Sequence, residues 1–87
     1  MAYTVSGVGL VPDCVGCYEL FGIYDGKYYY RRCDGAYFIW QDAMHMYLSP
    51  ILGDDVGLHW WYQWGMSPPG VYTPQAGAAG TATVTAV

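Results

Sequence analysis

Charge is what this chain has least of. Only 11% of its 87 residues are charged, against about 25% in an average domain, and just Lys27, Arg31 and Arg32 are positive. Three cations make no basic stripe, so neither nucleic acid nor an anionic membrane surface is an expected partner. Asparagine is absent, and Ser6, Ser49 and Ser67 are the only serines, none of them in a Gly-x-Ser-x-Gly elbow. No run approaches the roughly 18 apolar residues of a membrane span. The opening Met-Ala-Tyr-Thr-Val-Ser-Gly has neither the basic region nor the apolar stretch of a signal peptide. Helical periodicity is missing apart from a weak trace over Gln41 to Leu48.

What the chain has is rings: ten tyrosines, four tryptophans and two phenylalanines. Between Tyr18 and Trp64 short aromatic runs are separated by Asp25-Gly26, Asp34-Gly35, Gln41-Asp42 and Gly53-Asp54-Asp55. Aromatic and β-branched runs closed by Asp-Gly are strong hairpin signals. The expected strands are Ala2 to Val8, Cys17 to Tyr24, Lys27 to Cys33, Ala36 to Gln41, Met44 to Ser49 and Leu58 to Trp64. The fold class is therefore all-β: a small antiparallel meander of six to seven strands, forming a barrel or a sandwich.

Composition changes after Trp64. Met66-Ser67-Pro68-Pro69-Gly70 reads as a break, Gln75 to Gly80 as a small-residue linker, and Thr81 to Val87 as an uncharged β-prone tail. Residues 1–64 are thus expected to form the β module, and residues 65–87 a connection with a C-terminal arm. An uncharged Thr/Val strand needs a partner for its edge. It either closes the module's own sheet or clips onto another subunit through Val84 and Val87.

Cys14, Cys17 and Cys33 are an odd number. Cys14-Val15-Gly16-Cys17 has the spacing of half a zinc site, for which Cys33 and His45 or His59 would have to complete the set. A disulfide from Cys33 to Cys14 or Cys17 is a second use, and three reduced thiols a third. Redox chemistry of the thioredoxin kind would need a βαβ context that is lacking. No metal and no cofactor is expected.

Period-two alternation assigns the faces of each strand. It groups Leu58, Trp60, Tyr62 and Trp64 as a core face and turns His59, Trp61 and Gln63 outward. Trp61 is then the expected interface or sugar-stacking residue, because outward tryptophans lead the list of binding hot spots. On the hairpin after Asp25-Gly26, Lys27, Tyr29, Arg31 and Cys33 share one face, and Tyr28, Tyr30 and Arg32 the other. The positive hairpin is expected to meet an acidic loop such as Asp54-Asp55 on a second copy. His45 and His59 are the only side chains suited to proton transfer near neutral pH. No nucleophile, base and orienting acid fall together, so the chain reads as a non-enzyme.

The segment Tyr18-Glu19-Leu20-Phe21-Gly22-Ile23-Tyr24-Asp25-Gly26-Lys27-Tyr28-Tyr29-Tyr30, followed by Ile39-Trp40 and Tyr47-Leu48-Ser49, resembles a small aromatic β module of the pattern Tyr-x-x-x-Gly-x-Tyr-(Asn/Asp)-Gly-Lys. Val5-Ser6-Gly7-Val8-Gly9 resembles its usual opening, and the likeness spans most of residues 3 to 75. Tyr28 stands where that pattern has proline, and the cysteines are no part of it. Modules of this kind occur in uncharacterised phage virion proteins and in extracellular microbial proteins. The resemblance implies a virion structural protein, made in the host cytoplasm, that decorates a capsid or joins shell or tail subunits. Its partners would be copies of itself or other virion proteins. The alternative it leaves open is a carbohydrate-binding or adhesion module.

Overall fold

The computed structural model describes residues 1–87 as an antiparallel meander of eight strands closed into one barrel: β1 (Ala2–Ser6), β2 (Gly16–Tyr24), β3 (Lys27–Arg32), β4 (Phe38–Gln41), β5 (His45–Ser49), β6 (Trp60–Trp64), β7 (Gly70–Gln75) and β8 (Ala82–Ala86). Each strand pairs with its sequence neighbours, and β8 returns to β1 through Tyr3↔Ala86, Val5↔Val84 and Ser6↔Thr83. Closure leaves no sheet edge, which solves the aggregation problem of a weakly charged β protein. No helix of the chain is long and apolar enough to cross a membrane.

The turns sit where the Asp-Gly pairs are. Asp25 and Gly26 both adopt positive φ, at 52° and 79°, the geometry that a two-residue hairpin between right-twisted strands demands. A bulge between Leu20 and Gly22 changes the alternation of β2, because Leu20 pairs with Tyr30 but Gly22 with Tyr29. Phe21 is thereby pushed outside, 5.9 Å from the Tyr29 ring.

The interior is one packed cluster running from Tyr3, Val5 and Tyr18 through Tyr30, Ile39, Leu48 and Trp61 to Tyr72, Ala82 and Val84. Three of its polar rings reach out of the barrel to loop carbonyls. Tyr18 donates to Cys14 at 2.7 Å, Tyr72 to Pro68 at 2.7 Å, and the Trp61 indole N–H to Gly80 at 2.8 Å. Each bond satisfies a buried donor and fastens a connecting segment to the core.

Several expectations are corrected. The barrel has eight strands because Gly70–Gln75, hidden by Pro68, Pro69 and Pro74, is a strand. Pro74 pairs with Trp61 on one side but lies past the β7–β8 ladder, which spans Gly70 to Tyr72. Its missing N–H therefore costs no bond to β8. The division at residue 65 has no counterpart, since β7 and β8 complete the barrel. The tail is no free arm: Val84 is 2% exposed inside the core, while Val87 is exposed and its N–H donates to Ala2 of the same chain. The helical trace over Gln41 to Leu48 is β5 and the turn before it.

Candidate docking face

The faces of β6 are the reverse of the expectation. Trp61 is fully buried, paired with Leu48 and 6.2 Å from Tyr37. It cannot be an outward hot spot. Trp60, Tyr62 and Trp64 are on the outer face instead. There they join β4 and β5 in a chain of rings. Trp40 stacks on Tyr47 at 4.4 Å and 21°, Tyr47 meets Trp60 at 5.8 Å, and Trp60 meets Tyr62 at 5.9 Å. His45 lies against this row, 5.6 Å from Tyr62 and 4.0 Å from Trp64.

The β5–β6 connection, residues 50–59, covers one end of the row. Ser49 donates to the Ile51 carbonyl at 2.7 Å and accepts the Trp40 N–H at 2.8 Å; the Trp60 N–H donates to Gly57 at 3.1 Å. Trp40 and Tyr47 are consequently buried outside the barrel, in a second small apolar layer. Asp54 closes the connection by accepting the N–H groups of Val56 and Gly57. His59 ends it at φ 65°, its N–H bonded to Ala76.

Asp42 organises the β4–β5 turn. It accepts the backbone N–H groups of Met44 and His45 and the Tyr47 hydroxyl, all within 2.9 Å. Burial pushes its carboxyl up, but these donors outweigh burial and hold it below its usual range. His45 Nδ1 is buried 3.5 Å from Asp42 Oδ1 without a hydrogen bond.

Beyond the covered end the rings are open. Trp64 is 65% exposed, and Met44, whose carbonyl accepts the N–H of the following Gly65, is exposed as well. Around the barrel, Phe21, Tyr29 and Phe38 form a second row at 5.9 and 6.2 Å, with the Arg31 guanidinium 4.7 Å above Phe21. Ile23 and Tyr28, on the same hairpin, and Ile51, on the β5–β6 connection, are also exposed. Half of the protein's aromatic residues are thus outside the buried set, and Phe21, Tyr24, Tyr28 and Trp64 are openly exposed.

Of the other sequence-derived site residues, Tyr29 and Arg31 lie on this outer surface. Arg32 does something different. It forks onto Asp34 with two bonds of 2.9 Å and donates to the carbonyls of Asp13 and Val15 at 2.8 and 3.1 Å. It is a structural clamp at the barrel end, 5.4 Å from the Tyr37 ring. Cys14 is buried, Cys17 and Cys33 are exposed, and all three thiols are free. No three His, Cys, Asp or Glu side chains come together in a metal-binding arrangement. Sequence reasoning missed Trp60, Tyr62 and Trp64 as the outer row. Their i, i+2, i+4 spacing was visible, but the sense of the face was not.

No family model, no curated protein and no solved structure matches the chain.

Proposed function

We propose that this chain is a non-catalytic assembly module whose outer aromatic surface is covered by protein. The observation that carries this reading is the openly exposed set Phe21, Tyr24, Tyr28 and Trp64 on a barrel whose strands are all paired. With no edge to extend, docking has to proceed through side chains. Exposed rings on a small monomer mark interaction sites, and here they fall on two faces, β2–β3 and β6, on opposite sides of the closed strand order. A standard interface covers roughly 800 Å² per partner, a substantial part of the 4516 Å² exposed here. The resemblance of Tyr18 to Ser49 to phage virion modules makes a capsid-decorating or shell- or tail-stabilising subunit the setting we favour. Its partners are further copies or other virion proteins.

Sedimentation of the purified chain, alone and with particles from the same source, tests this. Self-association or co-sedimentation in fixed stoichiometry, lost in Trp64→Ala or Phe21→Ala with the fold intact, is the expected result. A monomer at high concentration that ignores the particles refutes it.

A second reading, carbohydrate binding, is favoured by one arrangement. The Trp60, Tyr62 and Trp64 row runs beside Gln75 and Thr73, which register places opposite Trp60 and Tyr62. Rings flanked by hydrogen-bonding side chains suit a pyranose. Retention on a glycan matrix that depends on Trp64 supports this reading over the first.

A further inference from the structure

Cys17 and Cys33 meet at one end of the β2–β3 ladder. The register pairs Glu19 with Arg31 and Tyr18 with Arg32, and Cys33 follows as the first residue of the turn after β3, next to Cys17. Tyr18 points into the core, and alternation turns Cys17 to the outer face. Both are exposed, and Cys33 Sγ lies 3.8 Å from the Cys17 carbonyl oxygen. A Cys33 sulfur this close to the Cys17 backbone is within reach of a disulfide, which joins residues whose Cα atoms are about 4.4–6.8 Å apart.

A second feature holds the pair together. Arg32 bonds to the Asp13 and Val15 carbonyls, just before Cys17, and to the Asp34 carboxylate, just after Cys33. Asp34 also accepts the Ala36 N–H, and Gly35 N–H bonds to Arg32, which fixes the turn that presents Cys33. One guanidinium thus bridges the two segments that a Cys17–Cys33 bond would join. Cys14 is shut out of this geometry. It is fully buried, and that burial pushes its thiol up to about 11, which leaves little nucleophilic thiolate.

We propose that Cys17 and Cys33 form a dithiol site for exchange with low-molecular-weight disulfides of the glutathione class, closing to an internal disulfide while Cys14 stays reduced. One cysteine thiolate attacks the S–S bond of oxidised glutathione, forming a mixed disulfide and expelling one glutathione thiolate. The second cysteine thiolate attacks the bound protein sulfur, forming the Cys17–Cys33 bond and expelling the other glutathione thiolate. Two electrons pass from protein to glutathione, and the two thiol protons end on the two glutathione molecules formed. The site stays open in a reducing cytoplasm and closes in an oxidising exterior. The staple then secures the barrel end that Arg32 clamps without covalent bonds.

The test uses the whole chain, incubated with excess oxidised glutathione, quenched in acid, alkylated and analysed by tandem mass spectrometry. The expected product is a monomer lighter by two hydrogens, with Cys17 linked to Cys33 and Cys14 alkylated. Fragment ions at Val15 and Gly16 separate Cys14 from Cys17. Closure raises Tm by about 10 °C or more, from the loop it constrains, and dithiothreitol reverses the shift. Cys17→Ser and Cys33→Ser, both at exposed positions, each stop at the mixed disulfide and show no such rise. A stable mixed disulfide on the unaltered chain, a bond that includes Cys14, or a disulfide-linked dimer as the main product overturns the proposal.

Discussion

The indole N–H of Trp61 donates to the carbonyl of Gly80 at 2.8 Å, and this one bond ties the centre of the core to the segment between β7 and β8. Trp61 fills more of the interior than any other fully buried side chain. Trp61→Ala is expected to cost about 3–5 kcal/mol, from lost burial and the cavity left behind. Trp61→Phe keeps most of the packing but leaves Gly80 without its donor, for about 1–3 kcal/mol. Urea unfolding curves measure both. Losses below about 0.5 kcal/mol, typical of a surface position, would contradict the burial of this residue.

The inversion of β6 shows how far sequence alone reaches. Turn chemistry was legible at Asp25-Gly26 and Asp34-Gly35, and with it most of β2 to β6 and the all-β class. The face of β6 was not, because Trp61 on one side competes with Trp60, Tyr62 and Trp64 on the other. What decides is the neighbour: Leu48 and Ile39 share a row across β5 and β4, and the register brings Trp61 into that row. Strand β7 escaped because its prolines resemble a break, and only the closed ladder shows where Pro74 is harmless. The outer row of the candidate site was hidden for the same reason as the core, since each follows from the other.

Gly53 has two reasons to be glycine. Its φ is 83°, and the Tyr24 hydroxyl occupies the place a β-carbon would take. Gly53→Ala should therefore destabilise the protein by about 1–2 kcal/mol through the left-handed backbone, and displace Tyr24. The connection over residues 50–59 loosens in consequence, and Trp40 and Tyr47 gain exposure. A rise in acrylamide quenching of tryptophan fluorescence under native conditions reports this. Unchanged quenching and unchanged stability would mean that the connection does not pack on Tyr24.

Stability should fall at both extremes of pH. Asp42 and Asp34 have folded-state carboxyls held below their ordinary value of 3.8, the first by Met44, His45 and Tyr47 despite burial, the second chiefly by Arg32. A depressed carboxyl contributes stability that is complete above the unfolded value and lost as pH falls through the folded one. The loss therefore sets in below about pH 4–5, and Asp42→Asn should flatten the part due to that residue. Burial raises Tyr18, Tyr72 and Tyr47 above their ordinary 10.0, and Tyr30 to about 12. Raised phenols favour the folded state below pH 10 and cease to do so as pH climbs above it. Urea midpoints across pH should show a plateau between these limits; a maximum confined near pH 4 would contradict the assignment.

Charge on the outer surface tests the assembly reading more sharply than ring deletion does. Arg32 is unsuitable for reversal, because its four bonds hold the barrel end and Arg32→Glu should unfold it. Lys27 and Arg31 are better placed, since β3 alternation puts both outside and Arg31 lies over exposed Phe21. The acidic side chains Asp54 and Asp55 sit on the β5–β6 connection, so docking of that connection on the β3 hairpin of another copy would bring opposite charges together. Lys27→Glu with Arg31→Glu is expected to weaken self-association at least tenfold at low ionic strength, with little change in Tm. Adding Asp54→Lys and Asp55→Lys on the same chain should restore part of it, while high salt erodes the difference between variants. Analytical ultracentrifugation across salt concentrations reads each step. Association that is indifferent to all four charges would leave the rings as the sole contact and exclude docking of the connection on the hairpin.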